Sequence, residues 1–113
     1  VDELYMFLKQ QGYEVYFVGQ KTTECKTNYI VLKDDGTNAQ LGTTVVGSQQ
    51  VDIILYTPRN QFTALIQFKK VIKNILKSYS KLKYAGLETP TITDDSVNGL
   101  TCSIIYLIQK PLI

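Results

Sequence analysis

The side chains able to do chemistry in this 113-residue chain form a short set. Carboxylates occur as two adjacent pairs, Asp34-Asp35 and Asp94-Asp95, and as Asp52 inside an apolar run. Adjacent residues in a turn point apart, and each pair has Gly or Asn nearby. Both pairs therefore read as turn formers rather than as a metal or acid–base pair. Asp52 reads as an edge-facing or lysine-paired carboxylate. The chain has no histidine. That removes the commonest general base, the commonest metal ligand and every Ser-His or Cys-His nucleophile. Gly36, Gly42 and Gly47 are spaced like turn glycines, not like a phosphate-cradling loop. The two cysteines, Cys25 and Cys102, make no disulfide framework and lack metal-ligand spacing, so both are expected as free thiols. Cys102 lies in an apolar stretch and reads as a small core residue. The expectation is a protein without catalytic residues, metal or cofactor, and so not an enzyme.

The chain is organised around Val51 to Tyr79. Val51, Ile53 and Leu55 alternate with Asp52, Ile54 and Tyr56, a period of two rich in β-branched residues. With few polar residues on either face, this reads as a central strand covered on both sides. Thr57-Pro58-Arg59-Asn60 breaks it. Either Thr57 caps the next helix with Pro58 at its first position, or Asn60 is the cap. Phe62, Leu65, Ile66, Phe68, Ile72, Ile75, Leu76 and Tyr79 then recur at helical spacing. With Val71 they sweep roughly 220° of the circumference, more than one sheet face covers. The expected buried contacts are Leu65, Ile72, Ile75 and Leu76. Lys69 falls inside the apolar arc and must snorkel or pair.

Lys70, Lys73 and Lys77 form a candidate basic face, part of a cluster that continues to Lys81 and Lys83. A solvated helix side is the simpler reading, since lysines favour the C-terminal end of a helix. Eight tyrosines, with no tryptophan, are spread over every element. They suit half-buried surfaces such as subunit contacts, and equally the edges of a core.

The flanking chain supplies the rest of one domain over residues 1–113. Asp2 to Gln11 reads as a short amphipathic helix stopped at Gly12. Tyr13 to Val18 and Tyr29 to Lys33 read as strands separated by the polar loop Gly19 to Asn28. Asp34-Asp35-Gly36 is a hairpin turn signal, with a weaker strand after it through Thr37 to Leu41. Thr43 to Gln50 is a polar link. After the long helix the chain turns at Gly86. A weak strand, Thr89 to Thr93, then leads through the turn Asp94 to Gly99 into an apolar strand, Leu100 to Gln109. The fold class is α+β: a mainly antiparallel sheet of about four to six strands, with a short N-terminal helix and one long helix packed on one face. The Val51 strand belongs near its centre.

Net charge is +2 with 19% charged residues, which by itself marks neither a nucleic-acid nor a membrane partner. No apolar run is long enough to span a bilayer. No signal-peptide pattern is visible, although the chain opens at Val1 rather than Met. Cytosolic, reducing synthesis is the expectation.

Three stretches together resemble the tail terminator (tail completion, or tail-to-head joining) proteins of long-tailed bacteriophages and prophages. Leu4 to Tyr16 is similar to the opening helix and strand. Val51 to Thr57 and the helix to Tyr79 are similar to the apolar strand, corner and long helix. Asp94 through Gln109 is similar to the closing turn and strand. The resemblance implies a virion structural protein of the tail or neck, assembled in the host cytoplasm. It implies a homo-oligomeric ring, commonly a hexamer, which forms on its template from subunits that are monomers at low concentration. Its partners would be the tail tube protein and the head connector protein, with DNA passing through the lumen without sequence-specific binding. The candidate contact residues lie on the two polar stretches, which are long and lack core residues: Thr22, Thr23, Lys26, Asn28, Thr44 and Gln49. Another neck or head-completion protein, or a small nucleic-acid-binding module using the lysine cluster, are the competing readings.

Overall fold

A computed structural model describes residues 2–18, 27–39, 46–58, 60–79, 82–95 and 97–111. Its elements run α1 (Asp2–Gln10), β1 (Val15–Phe17), β2 (Tyr29–Ala39), β3 (Val46–Pro58), α2 (Phe62–Leu76), β4 (Leu82–Glu88), β5 (Ile92–Asp94) and β6 (Gly99–Pro111). The strands form one six-stranded sheet in the order β1-β2-β3-β6-β4, with β5 also paired to β6. All pairings are antiparallel except β1 with β2, which is parallel. The class is α+β, with β3 inside the sheet as its composition predicts.

The alternation along β3 resolves into two unequal faces. Val51, Ile53, Leu55 and Thr57 are buried, whereas Asp52, Ile54 and Tyr56 are half-buried. Both helices lie on the first face. On the second, Tyr29, Val31 and Val97 are buried and Ile54 and Tyr56 pack against them, so β3 is covered on both sides but unequally. The main core joins Ile30 and Leu32 of β2 to Val51, Ile53 and Leu55 of β3 and to Cys102, Ile104 and Tyr106 of β6. Leu4 and Leu8 of α1 and Leu65, Phe68, Ile72 and Leu76 of α2 close it from above. Each is a fully or nearly fully removed apolar side chain, contributing about 1.5–3 kcal/mol of transfer free energy.

The long helix departs from expectation at both ends. Thr57 and Pro58 stay in β3, so neither they nor Asn60 cap α2; Gln61 occupies that position without a side-chain cap. The buried Thr57 hydroxyl instead donates to the Gln61 carbonyl at 3.5 Å. Ile75 is only half-buried and Phe68 takes its expected place in the core. Phe62 and Val71 remain exposed, which is where the excess apolar arc goes. At α1 the stop is as expected: Gly12 has φ +93°, a conformation that costs glycine little, and its N–H donates to the Lys9 carbonyl at 3.0 Å.

Two expected turns are bulges. Asp34 pairs with Val51 and Gly36 with Gln50, so Asp35 is the extra residue and β2 continues to Ala39. Gly86 lies in a second irregularity, between Tyr84 and Leu87 of β4, rather than at a chain reversal. Glycine beside polar residues serves a bulge as well as a turn. The first bulge lengthens the sheet, because Thr37 to Ala39 still find partners in Gln49 to Gly47. The expected link Thr43 to Gln50 is therefore strand from Val46 onward. A 13-residue strand is about 43 Å long and a 15-residue helix about 22 Å. The molecule is 46 Å along its longest axis, so β2, β3 and β6 extend well past the helices. No helix among the described residues is long and apolar enough to cross a membrane.

Candidate functional site

The helix-covered side holds a compact polar cluster. Glu88 of β4 stands opposite Ile104, on the face that looks at α2. Its carboxylate accepts from Lys69 at 3.1 Å, from Lys73 at 2.8 Å and from the Tyr84 hydroxyl. The Lys73 ammonium also sits 4.9 Å from the centre of the Tyr84 ring. Lys69 thus pairs, as its place in the apolar arc required. Of the candidate basic face, Lys70 and Lys77 are exposed while Lys73 is turned to Glu88. Only its setting marks Glu88 in the sequence. It is the only carboxylate between Asp52 and Asp94, set among six lysines.

These contacts hold Glu88 at a pKa of about 2, with the Lys73 hydrogen bond the largest cause and the Tyr84 hydroxyl next. Lys73 is raised, chiefly by the same bond. A depressed carboxylate stabilises the fold above its ordinary value of 4.5 and loses that contribution as pH falls through about 2. The raised Lys73 value gives the opposite limb: its contribution is present below 10.5 and is lost as pH rises through the higher folded value. The Glu88 side chain is 23% exposed, so screening trims the effect. Glu88→Gln is expected to cost about 1 kcal/mol at neutral pH. The variant's melting temperature should fall by ~4 °C. Paired melts at pH 7 and pH 2 check this: the difference must shrink in acid, and a pH-independent difference contradicts it.

The opposite face, which carries no helix among the described residues, is aromatic. Tyr29 stacks on Tyr56 with ring centres 4.7 Å apart, and Tyr16 meets Tyr29 edge-on at 5.7 Å. Neighbouring strands put these rings side by side, and edge or offset contacts of this kind add to their area burial. Val31 and Val97 are buried with them. The Tyr56 hydroxyl donates to Asp94 at 3.1 Å. Asp94-Asp95 flank the β5–β6 connection as expected, and Asn98 takes the left-handed conformation there at φ +52°. Asp52 stands directly opposite Lys33 in the β2–β3 register.

Beside the tyrosines lies a groove of about 500 Å³, lined by Ile54, Tyr56, Pro90, Ile92, Asp94 and Thr101 among others. The Thr101 hydroxyl is buried without a hydrogen-bond partner. An unmade bond of this kind costs about 1–3 kcal/mol. Ser103, next on the same face, is satisfied by contact with the Thr89 hydroxyl at 3.1 Å. Among the described residues no group of three or more His, Cys, Asp or Glu is placed to hold a metal ion.

Of the candidate contact residues, Thr22, Thr23, Lys26 and Thr44 lie outside the described residues, as does Cys25. Asn28 is exposed just before β2. Gln49 is not in a loop; it belongs to β3, between Thr37 of β2 and Ile108 of β6. Cys102 is a buried free thiol whose pKa is pushed up by burial. A thiol reagent is therefore expected to label Cys102 at once in denaturant and far more slowly in native protein, as peptide mapping would show; equal rates contradict its place in the core.

No protein-family model matches the chain. A comparison with curated proteins also finds no significant match.

Proposed function

We propose that the protein is a non-enzymatic virion part, a tail terminator that joins a phage or prophage tail to its head. In this reading copies form a ring, a hexamer by the habit of the family it resembles, on the last ring of the tail tube. The ring ends tube growth and offers a surface to the head connector, and DNA passes through its lumen. The observation that carries the reading is the one-sided sheet. Both helices pack on one face, and the other keeps tyrosine and isoleucine side chains half-exposed among the described residues. Surfaces of that composition suit contacts between subunits. The pairing of Lys69 and Lys73 with Glu88 weighs against the nucleic-acid module, because it removes positive charge from the helix surface.

The test is cosedimentation with tail tubes assembled without the protein. Bound protein should saturate at an amount per tube that does not rise with tube length. Deleting Thr22 to Lys26 should weaken the binding severalfold while the circular dichroism spectrum stays unchanged. Binding in proportion to tube length, or none, contradicts the reading.

A further inference from the structure

The groove on the face opposite the two helices has an apolar wall, an acidic end and a floor at Thr101. Ile54, Pro90 and Ile92 form the wall, and Ile92 is 58% exposed. Asp94 and Asp95 form the acidic end. Thr101 is 7% exposed, and its hydroxyl has no hydrogen-bond partner. The other side of the same molecule carries the opposite charge. Exposed α2 positions set Lys70 beside Val71, with Asn74 and Lys77 one and two turns further on. Val71 is 44% exposed although β-branched and apolar.

We propose that the groove receives the exposed side of α2 from a second copy of this chain. Val71 enters between Ile54 and Ile92. Lys70 and Lys77 meet the carboxylates of Asp94 and Asp95. Groove and helix lie on opposite faces of the sheet, so the contact is head-to-tail. Copies add in one direction until the rotation closes them into a ring. A helix about 22 Å long presents less than the ~800 Å² per partner of a standard interface. Each contact is therefore weak alone, and closure supplies the remainder by engaging every copy twice. The inference rests on the self-assembly in the reading above and deepens it by naming the two mating faces.

Sedimentation velocity over a concentration series tests it, with wild-type protein, Lys70→Glu, Asp95→Lys and the double variant. Wild-type mass should rise with concentration and less steeply in high salt. Each single reversal should weaken association by about tenfold or more. The double variant, and an equal mixture of the two single variants, should regain it, because a reversed helix then meets a reversed groove. Circular dichroism verifies that all four fold alike. A monomer at every concentration, single reversals that associate like wild type, or no recovery in the double variant overturns the inference. The two readings separate cleanly. Tail ends capped by a chain that never self-associates by this contact leave the terminator reading standing, and self-association without tail binding leaves this contact standing.

Discussion

Ile72→Asp abolishes folding. Ile72 is fully buried between α2 and the sheet, in the cluster that contains Ile53, Leu55 and Ile104. The substitution removes about 2–3 kcal/mol of apolar transfer free energy. It also places a carboxylate where nothing pairs with it, a penalty of several kcal/mol even after relaxation. A domain of this size has only about 5–15 kcal/mol of net stability, so the sum reaches the whole margin. The expected result is insoluble protein, or soluble protein without a cooperative thermal transition. A soluble variant with the wild-type circular dichroism spectrum and a sharp melt contradicts the assignment of this helix face.

Tyr29→Ala is expected to be the next most damaging change, on the face without helices. The Tyr29 ring is 1% exposed, stacked on Tyr56 and met edge-on by Tyr16. Truncation leaves a ring-sized void between two strands and ends both aromatic contacts, a loss of about 3–5 kcal/mol. Tyr29→Phe keeps the ring and loses only hydroxyl interactions, so it should cost about 1 kcal/mol. Denaturant midpoints at an unchanged m-value separate the two. If Tyr29→Ala costs no more than Tyr29→Phe, the aromatic row is surface decoration and not a second core.

Much of the fold was legible because local rules and tertiary demands agree. The β3 alternation, the α2 periodicity, the Gly12 stop and the Asp94 to Gly99 connection are each dictated by their own few residues. What stayed hidden depends on partners far away in sequence. Asp34-Asp35-Gly36 has the chemistry of a hairpin turn, and only the continued pairing of Thr37 to Ala39 with β3 makes it a bulge. Gly86 repeats the lesson on β4. The parallel β1–β2 pairing cannot be read from β1, which has three residues and no turn that reports direction. Thr57-Pro58 satisfies a capping rule locally, yet the β6 strand holds both residues in the sheet and α2 starts beyond them. The candidate site divides in the same way. The snorkelling or pairing of Lys69 follows from helix geometry, but Glu88 comes within reach of it through the β4–β6 register. Thr101 is an ordinary strand residue in sequence, and its unpartnered hydroxyl is visible only in three dimensions.

The central claim is a position on a virion, and electron microscopy of tails measures it directly. Tails assembled without this protein, then mixed with gold-labelled purified chain, should carry label at one end only, the end that meets the head. Those tails should then regain the capacity to join filled heads. Label along the tube wall, at both ends, or absent from tails altogether would contradict the terminator reading.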